Sequence, residues 1–331
     1  MSFQDIRGQD KPIRILREYI KHSSLGSSYL FTGPEGVGKN LTAKTLAKAL
    51  NCQRGDSLVI DACDGCASCL KIENNQHPDV HLVDSSALFK AEAAASELIK
   101  IDYIRQLQKD INLKPYEGRR KVFIVNNAHN LTAEAGNALL KILEEPPQDS
   151  LIILVSAKPA LLFKTIISRC RIVKFYPLER AKLEEVLKKD YSLDDNLAHF
   201  LAYFSEGRVG CALRLKDADI LRQKNKIIDE FGLSRKEAFL NGLSAQNRES
   251  LSSCLNILTA WFRDIYFIKI GMPYCELINF DRKDQLLRDM NRYALFDLEE
   301  ILKSISDSLF YLNQNVNIKL LLSNLKWSLA R

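Results

Sequence analysis

The residues best placed to do chemistry stand together at Gly33-Pro34-Glu35-Gly36-Val37-Gly38-Lys39-Asn40. Their spacing is that of a phosphate-binding loop, G-x-x-x-x-G-K-[ST], in all but the last letter. Gly33, Gly36 and Gly38 let backbone N–H groups turn toward phosphates, and Lys39 reaches for the outer ones. The final position normally carries a hydroxyl that ligates Mg²⁺. Asn40 offers a bulkier amide there, a poor match for a small octahedral ion. A second defect lies further on. The apolar run Val122-Phe123-Ile124-Val125 reads as the strand that, in a P-loop ATPase, ends in acids holding Mg²⁺ and the attacking water. Here it ends in Asn126-Asn127, so ATP and Mg²⁺ binding at this chain's own site are doubtful.

A different chemistry follows the loop. Cys52, Cys63, Cys66 and Cys69 are spaced C-x10-C-x2-C-x2-C, with Gly65 in the tight turn between two of them. Two-residue gaps let thiolates curl around one tetrahedral ion, which predicts structural Zn²⁺ with a closed coordination sphere. His77, before Pro78, reads as a turn residue rather than a ligand.

These groups need elements to position them. Ile13, Leu16, Tyr19 and Ile20 recur at helical spacing, so 10–22 reads as an amphipathic helix. Tyr29-Leu30-Phe31 is the strand before the loop, and Leu41, Leu46, Ala47 and Leu50 give the apolar face of the helix after it. Val80–Val83 reads as a strand, 85–100 as loop passing into helix, and 101–111 as a helix. The basic turn Glu117-Gly118-Arg119-Arg120-Lys121 precedes the strand at 122–125. A helix from Ala135 stops at Pro146-Pro147. The strand 151–155 ends at Ser156, a Leu/Phe-rich helix follows, and the strand 172–175 comes after Ser168-Arg169-Cys170. This alternation predicts an α/β fold with a parallel sheet covered on both faces. Beyond Pro177 the chain reads as helical: 178–189, 193–205 and 207–217 are short helices. A long helix carries Leu251, Leu255, Leu258, Trp261, Phe262 and Ile265, another carries Ile301, Ile305, Leu309 and Leu312, and 317–329 is the last.

Composition bounds the partners. The chain has 331 residues, a net charge of +6 and 8 cysteines. The charge is compatible with nucleic-acid contact without demanding it. A polar start at Met1–Asp10 and the absence of a long apolar run predict neither signal peptide nor membrane span, hence a cytoplasmic protein. Grouped thiols in such a chain favour metal over disulfides.

Four features in order carry a resemblance: the near-complete P-loop, the cysteine cluster, the helix ending Leu143-Glu144-Glu145-Pro146-Pro147, and Ser168-Arg169-Cys170. Together they resemble the clamp-loader branch of the AAA+ ATPases, most strongly over 28–177, with His77-Pro78-Asp79 also at a family-like position. The resemblance implies a RecA-like AAA+ domain over 1–176 with the zinc module at 52–69, a small helical lid over 177–219, and a helical collar domain over 220–331. It implies a non-hydrolysing subunit of a DNA polymerase III clamp loader, since Gly210 stands where motor subunits carry a lid arginine. Ser168, Arg169 and Cys170 match the motif whose arginine acts in trans on ATP held by a neighbour, which is the favoured reading of Arg169 over local capping or pairing at a strand edge. Implied partners are motor and clamp-opening subunits in a hetero-oligomeric ring, and through them the sliding clamp and primed DNA. Two alternatives stay open: a hydrolysing motor of the same machine, and a zinc-dependent nucleic-acid-binding protein with a vestigial ATPase fold.

Overall fold

The computed structural model describes the chain except residues 23–24, 55–59, 85–97, 234–238, 240–241, 244–246, 315 and 330–331, with backbone alone at 233, 313 and 326–329. The expected loop-to-helix passage at 85–100 lies almost wholly outside the described residues. The chain divides into two units, Met1–Leu178 with Arg208–Cys211, and Glu179–Gly207 with Ala212–Arg331.

In the first unit the strands are β1 (Ser28–Thr32), β2 (Val80–Val83), β3 (Lys121–Val125), β4 (Ser150–Ser156) and β5 (Arg171–Lys174). They form one parallel sheet in the order β2-β3-β4-β1-β5. Helix α1 (Asp10–Lys21) precedes β1, and the crossovers that parallel pairing demands are supplied by α2 (Lys39–Asn51), α3 (Ala67–Glu73), α4 (Ile101–Ile111), α5 (Ala133–Glu144) and the one-turn α6 (Lys164–Ile167). Side chains alternate across the pleat. Tyr29, Phe31, Val122, Ile124, Leu151 and Ile153 face α1 and α2, whereas Leu30, Phe123, Val125, Ile152 and Leu154 face α4 and α5. Both sheet faces are therefore covered, which is why these strands read as unbroken apolar runs. This is the RecA-like AAA+ arrangement, with the P-loop between β1 and α2.

Two local readings are corrected. The segment after β4 is no continuous helix: a 3-10 turn at Pro159–Leu161 precedes α6. Only Leu162 and Ile166 of that stretch are buried, while Leu161 and Phe163 face solvent, so its apolar residues never make one helical face. Lys121 does not belong to the basic turn. It opens β3, is buried, and its Nζ donates to the Asp110 carbonyl at 2.9 Å.

The second unit is helical among its described residues: α7 (Arg180–Tyr191), α8 (Asp195–Phe204), the later part of α9 (Val209–Asp217), α10 (Ile220–Leu233), α11 (Arg248–Lys269), α12 (Lys283–Met290), α13 (Leu295–Asn313) and α14 (Ile318–Leu329). The predicted stripe from Leu251 to Ile265 is buried along α11, with Trp261 in the core. Asp264 on the same helix accepts from the Ile278 and Asn279 backbones at 3.0 and 2.7 Å, which fastens the 270s loop. Lys224 is fully buried, paired with both Asp281 oxygens at 2.7 Å and set over the Phe200 ring. No described helix is long and apolar enough to cross a membrane.

Candidate functional site

All strands run the same way, so the residues that follow them gather at one sheet edge, where ligands bind in such folds. Gly33 follows β1, Asn126 follows β3 and Ser156 ends β4. Gly33 (φ +142°), Gly36 (φ +81°) and Gly38 (φ +97°) all hold left-handed or otherwise unusual backbone. A Cβ at Gly33 would stand 2.3 Å from the Phe175 carbonyl oxygen, so the tight entry to the loop requires glycine. Gly38 caps α2, and the Thr42 hydroxyl donates to the Gly38 carbonyl at 2.9 Å.

The lysine of this loop is turned inward. Lys39 is buried, and its Nζ donates to the carbonyls of Gly33 and Pro34 at 2.6 Å each. Burial, only partly relieved by the Glu35 carboxylate, pushes its ammonium down to about 8. The other face of the loop is met by residues 208–211. The Gly210 N–H donates to the Gly36 carbonyl at 2.8 Å, and a Cβ at Gly210 would stand 3.0 Å from that same oxygen. Glycine at 210 thus has a local cause: a Cβ there would press on the Gly36 carbonyl and push the loop back by a few tenths of an ångström.

At the end of β3 the two asparagines have different settings. Asn127 takes φ +51°, a left-handed conformation that asparagine tolerates better than most residues. Asn126 donates from Nδ2 to Asp84 Oδ2 at 2.9 Å. Asp84 was absent from the sequence reading. The available signal was an acid directly after β2, which pairs with β3 in the sheet. At the β4 end, the Ser156 hydroxyl lies 3.3 Å from His129 Nδ1.

Ser168, Arg169 and Cys170 leave α6 and lead into β5. Arg169 is half-exposed. One of its nitrogens pairs with Glu144 Oε1 at 2.7 Å, and the other donates to the Thr165 carbonyl at 3.0 Å. Glu144 closes α5, so the motif's arginine rests on the glutamate of the Leu-Glu-Glu-Pro-Pro motif. Burial raises the Cys170 thiol to about 12, which makes it a packing group rather than a nucleophile.

The four cysteines come together as the spacing required. The Sγ atoms of Cys52, Cys63, Cys66 and Cys69 all lie within 4.8 Å of one another. Four thiolates about 2.3 Å from a tetrahedral zinc would stand about 3.8 Å apart, so the donor set fits that ion. Cys52 ends α2, and Cys66 caps α3, where its sulfur accepts the Cys69 N–H at 3.4 Å. Burial raises the Cys66 thiol, but the backbone donors of Cys69 and Gln53 outweigh it and bring it to about 6. Cys69 is pushed up by burial and by its thiol neighbours, an opposition that a cation among them would reverse. The module is tied down by Lys48 of α2, which pairs with Asp64 at 2.9 Å and with Glu73, and by Arg17 of α1, which pairs with Asp61 at 2.7 Å. His77 is buried, and its Nδ1 accepts the Asp79 N–H at 3.1 Å, apart from the cysteines. The 13 residues of α2 separate the cysteines from the P-loop by about 20 Å, so the metal site is no part of the phosphate site.

Comparison with known proteins places this geometry. The family model described as DNA polymerase III, delta subunit, matches residues 8–179. DNA polymerase III subunit delta' of Bacillus subtilis (strain 168) is 27% identical over 332 residues, covering 96% of this chain and 94% of that protein. Subunit tau of the same organism is 26% identical over 343 residues, but this chain spans only 59% of its length. A solved DNA polymerase III gamma subunit-related protein from Thermotoga maritima is 17% identical with a TM-score of 0.41, covering 96% of this chain and 97% of that one. The family match takes in the P-loop, the four cysteines and the Ser-Arg-Cys motif, and the delta' likeness runs nearly end to end; the chain belongs to the DNA polymerase III delta-subunit family, as a delta-prime-like clamp-loader subunit.

Proposed function

We propose that this chain is a non-hydrolysing clamp-loader subunit that lends Arg169 in trans to ATP bound by a neighbouring motor subunit. The observation that carries the reading is the contrast between two sites. The chain's own phosphate site has amides at all three Mg²⁺-linked positions, Asn40, Asn126 and Asn127, and its lysine is spent on the carbonyls of Gly33 and Pro34. Arg169, by contrast, is a half-exposed guanidinium held by the Thr165 carbonyl and by a surface carboxylate, Glu144, that an incoming phosphate can replace. Without Mg²⁺ ligands or a water-orienting acid, phosphoryl transfer loses most of its electrostatic stabilisation. A guanidinium supplied from a neighbour stabilises charge on the transferred phosphoryl group, an effect worth about 10³–10⁵ in turnover in GTPases.

In this reading 177–219 is the lid and 220–331 the collar that joins motor and clamp-opening subunits in the cytoplasm. The sliding clamp and primed DNA are reached through the complex. The four cysteines hold a structural zinc that takes no part in the reaction. ATP turnover by the purified chain is the first test, with Lys39→Ala as control. No turnover is expected; turnover abolished in the control would promote the motor reading instead. Arg169→Ala should then lower the ATPase of the reconstituted complex at least tenfold, and an unchanged rate would remove the trans role.

A further inference from the structure

The connection between α4 and β3 is braced in a way that neither its length nor the sheet requires. Asp79, fully buried just before β2, accepts the Tyr116 N–H on one oxygen at 2.7 Å, and those of Glu117 and Gly118 on the other at 2.9 and 2.7 Å. Asn51, buried at the last position of α2, accepts from Arg119 and Arg120 at 2.8 and 2.9 Å and returns a bond to the Arg120 carbonyl at 3.0 Å. All backbone N–H groups from 116 to 120 are thus held by two buried side chains from other elements. Burying a carboxylate is costly without such donors, so the brace is a substantial structural commitment to a surface turn.

What the brace presents is unusual. Tyr116 is 86% exposed, the highest among the large hydrophobic side chains of the described residues, and Leu113 is 63% exposed. Lys114 and Arg119 are exposed and Arg120 is half-buried, and none of the three forms an ion pair among the described residues. The only acid of the turn, Glu117, is taken by Lys71 at 2.7 Å. The braced turn therefore carries an uncovered aromatic ring and, within four residues of it along the chain, three cations without an ion pair among the described residues.

We propose that this turn, Leu113–Arg120, binds single-stranded nucleic acid, stacking a base on Tyr116 and taking phosphates on Lys114, Arg119 and Arg120. Exposed rings beside a cationic track suit an unpaired strand, whose bases have free faces, whereas a duplex keeps its faces stacked. The brace removes the cost of ordering the turn on binding. The inference is independent of Arg169 and of ATP hydrolysis, and it does not require the zinc to touch DNA.

The test uses the full-length, zinc-loaded chain and fluorescence anisotropy with a labelled oligothymidylate of about 20 nucleotides and a blunt duplex of equal length. The single strand should bind more tightly than the duplex. Tyr116→Ala should weaken single-strand binding about tenfold or more, and Tyr116→Phe should restore it. Arg119→Ala with Arg120→Ala should flatten the dependence of log K on log salt by about 1.4, or about 0.7 for each lost phosphate contact. Tyr116 and Arg119 are exposed and Arg120 is half-buried, and unchanged circular dichroism and zinc content will show that the variants fold. No single-strand binding at low salt, an unchanged affinity in Tyr116→Ala, or equal losses for duplex and single strand would each overturn the proposal.

Discussion

Asp79→Asn isolates the brace with the least change of shape. The amide keeps one oxygen, so at best it retains the two bonds to Glu117 and Gly118 while its NH₂ faces the Tyr116 N–H. One charge-assisted bond is lost outright and two become neutral. A bond to a charged group contributes about 1.5–3 kcal/mol and a neutral one about 1, so the turn loses about 2.5–7 kcal/mol. The readout is amide hydrogen exchange, because the loss is local and a chain of two units has no single unfolding free energy. Exchange at Tyr116, Glu117 and Gly118 should accelerate by about 70-fold or more. Arg119 and Arg120, held by Asn51, should change less. Unaltered protection at 116–118, or an equal acceleration across the whole sheet, would refute the account of a braced turn. The pH dependence has a definite sign. Burial works to raise the Asp79 carboxyl, but the three backbone donors win and hold it below its ordinary value. Its contribution is therefore complete above the unfolded carboxylate pKa of about 3.9 and disappears as pH falls through the lower folded value. Asp79→Asn should abolish that part of the acid sensitivity.

Three further outcomes are expected. The purified chain should carry one zinc measurable by atomic emission, and Cys66→Ser should lower zinc content severely while leaving the P-loop amides protected, since α2 separates the two sites. Glu144→Gln should leave the reconstituted complex active, with an apparent ATP affinity or rate raised by at most about fivefold, because a surface pair is worth about 0–1 kcal/mol; a loss as deep as that of Arg169→Ala would show that Glu144 aims the guanidinium rather than resting it. Lys39→Met removes an ammonium that burial disfavours in the folded state but also removes the donor to the Gly33 and Pro34 carbonyls, so the pH dependence of its melting temperature, rather than the value at pH 7, carries the prediction. The wild-type protein recovers the cost of burying the charge as pH rises from about 8 toward the unfolded value of about 10.4, so it should gain on the variant across that window, and a difference that stays constant would contradict the reasoning.

What could be read beforehand was local. The P-loop, the parallel strands and the four cysteines depend on spacing within one short stretch, or on apolar runs whose partners are interchangeable. The expected ligands lie close together because Cys63, Cys66 and Cys69 sit on one turn and Cys52 ends the helix that leads to it. The misreadings and omissions involve longer reach. Lys121 read as part of a charge run, yet it buries its stem in β3 and gives its ammonium to Asp110. Asp84 meets Asn126 only because β2 lies beside β3, and Glu144 meets Arg169 only once α5 and α6 are folded together. Asp79 stood in a noticed His-Pro-Asp run, but its partners are 37 to 39 residues away, and no local pattern announces them.

The two ends of α2 show why these differences bear on function. At its start, glycines keep the shape of a phosphate loop while Lys39 turns back on the loop and Asn40 replaces the hydroxyl. At its end, Lys48, Asn51 and Cys52 are buried, and each reaches a separate structure: the acids of the metal module, the braced turn, and the cysteine cluster. A helix that had only to serve a nucleotide would not need such a terminus. In this chain α2 is a rod that carries the phosphate loop at one end and ties the metal module and the turn to the sheet at the other. That separation is what lets the proposed role of Arg169 and the proposed strand binding at Tyr116 be tested, and fail, independently.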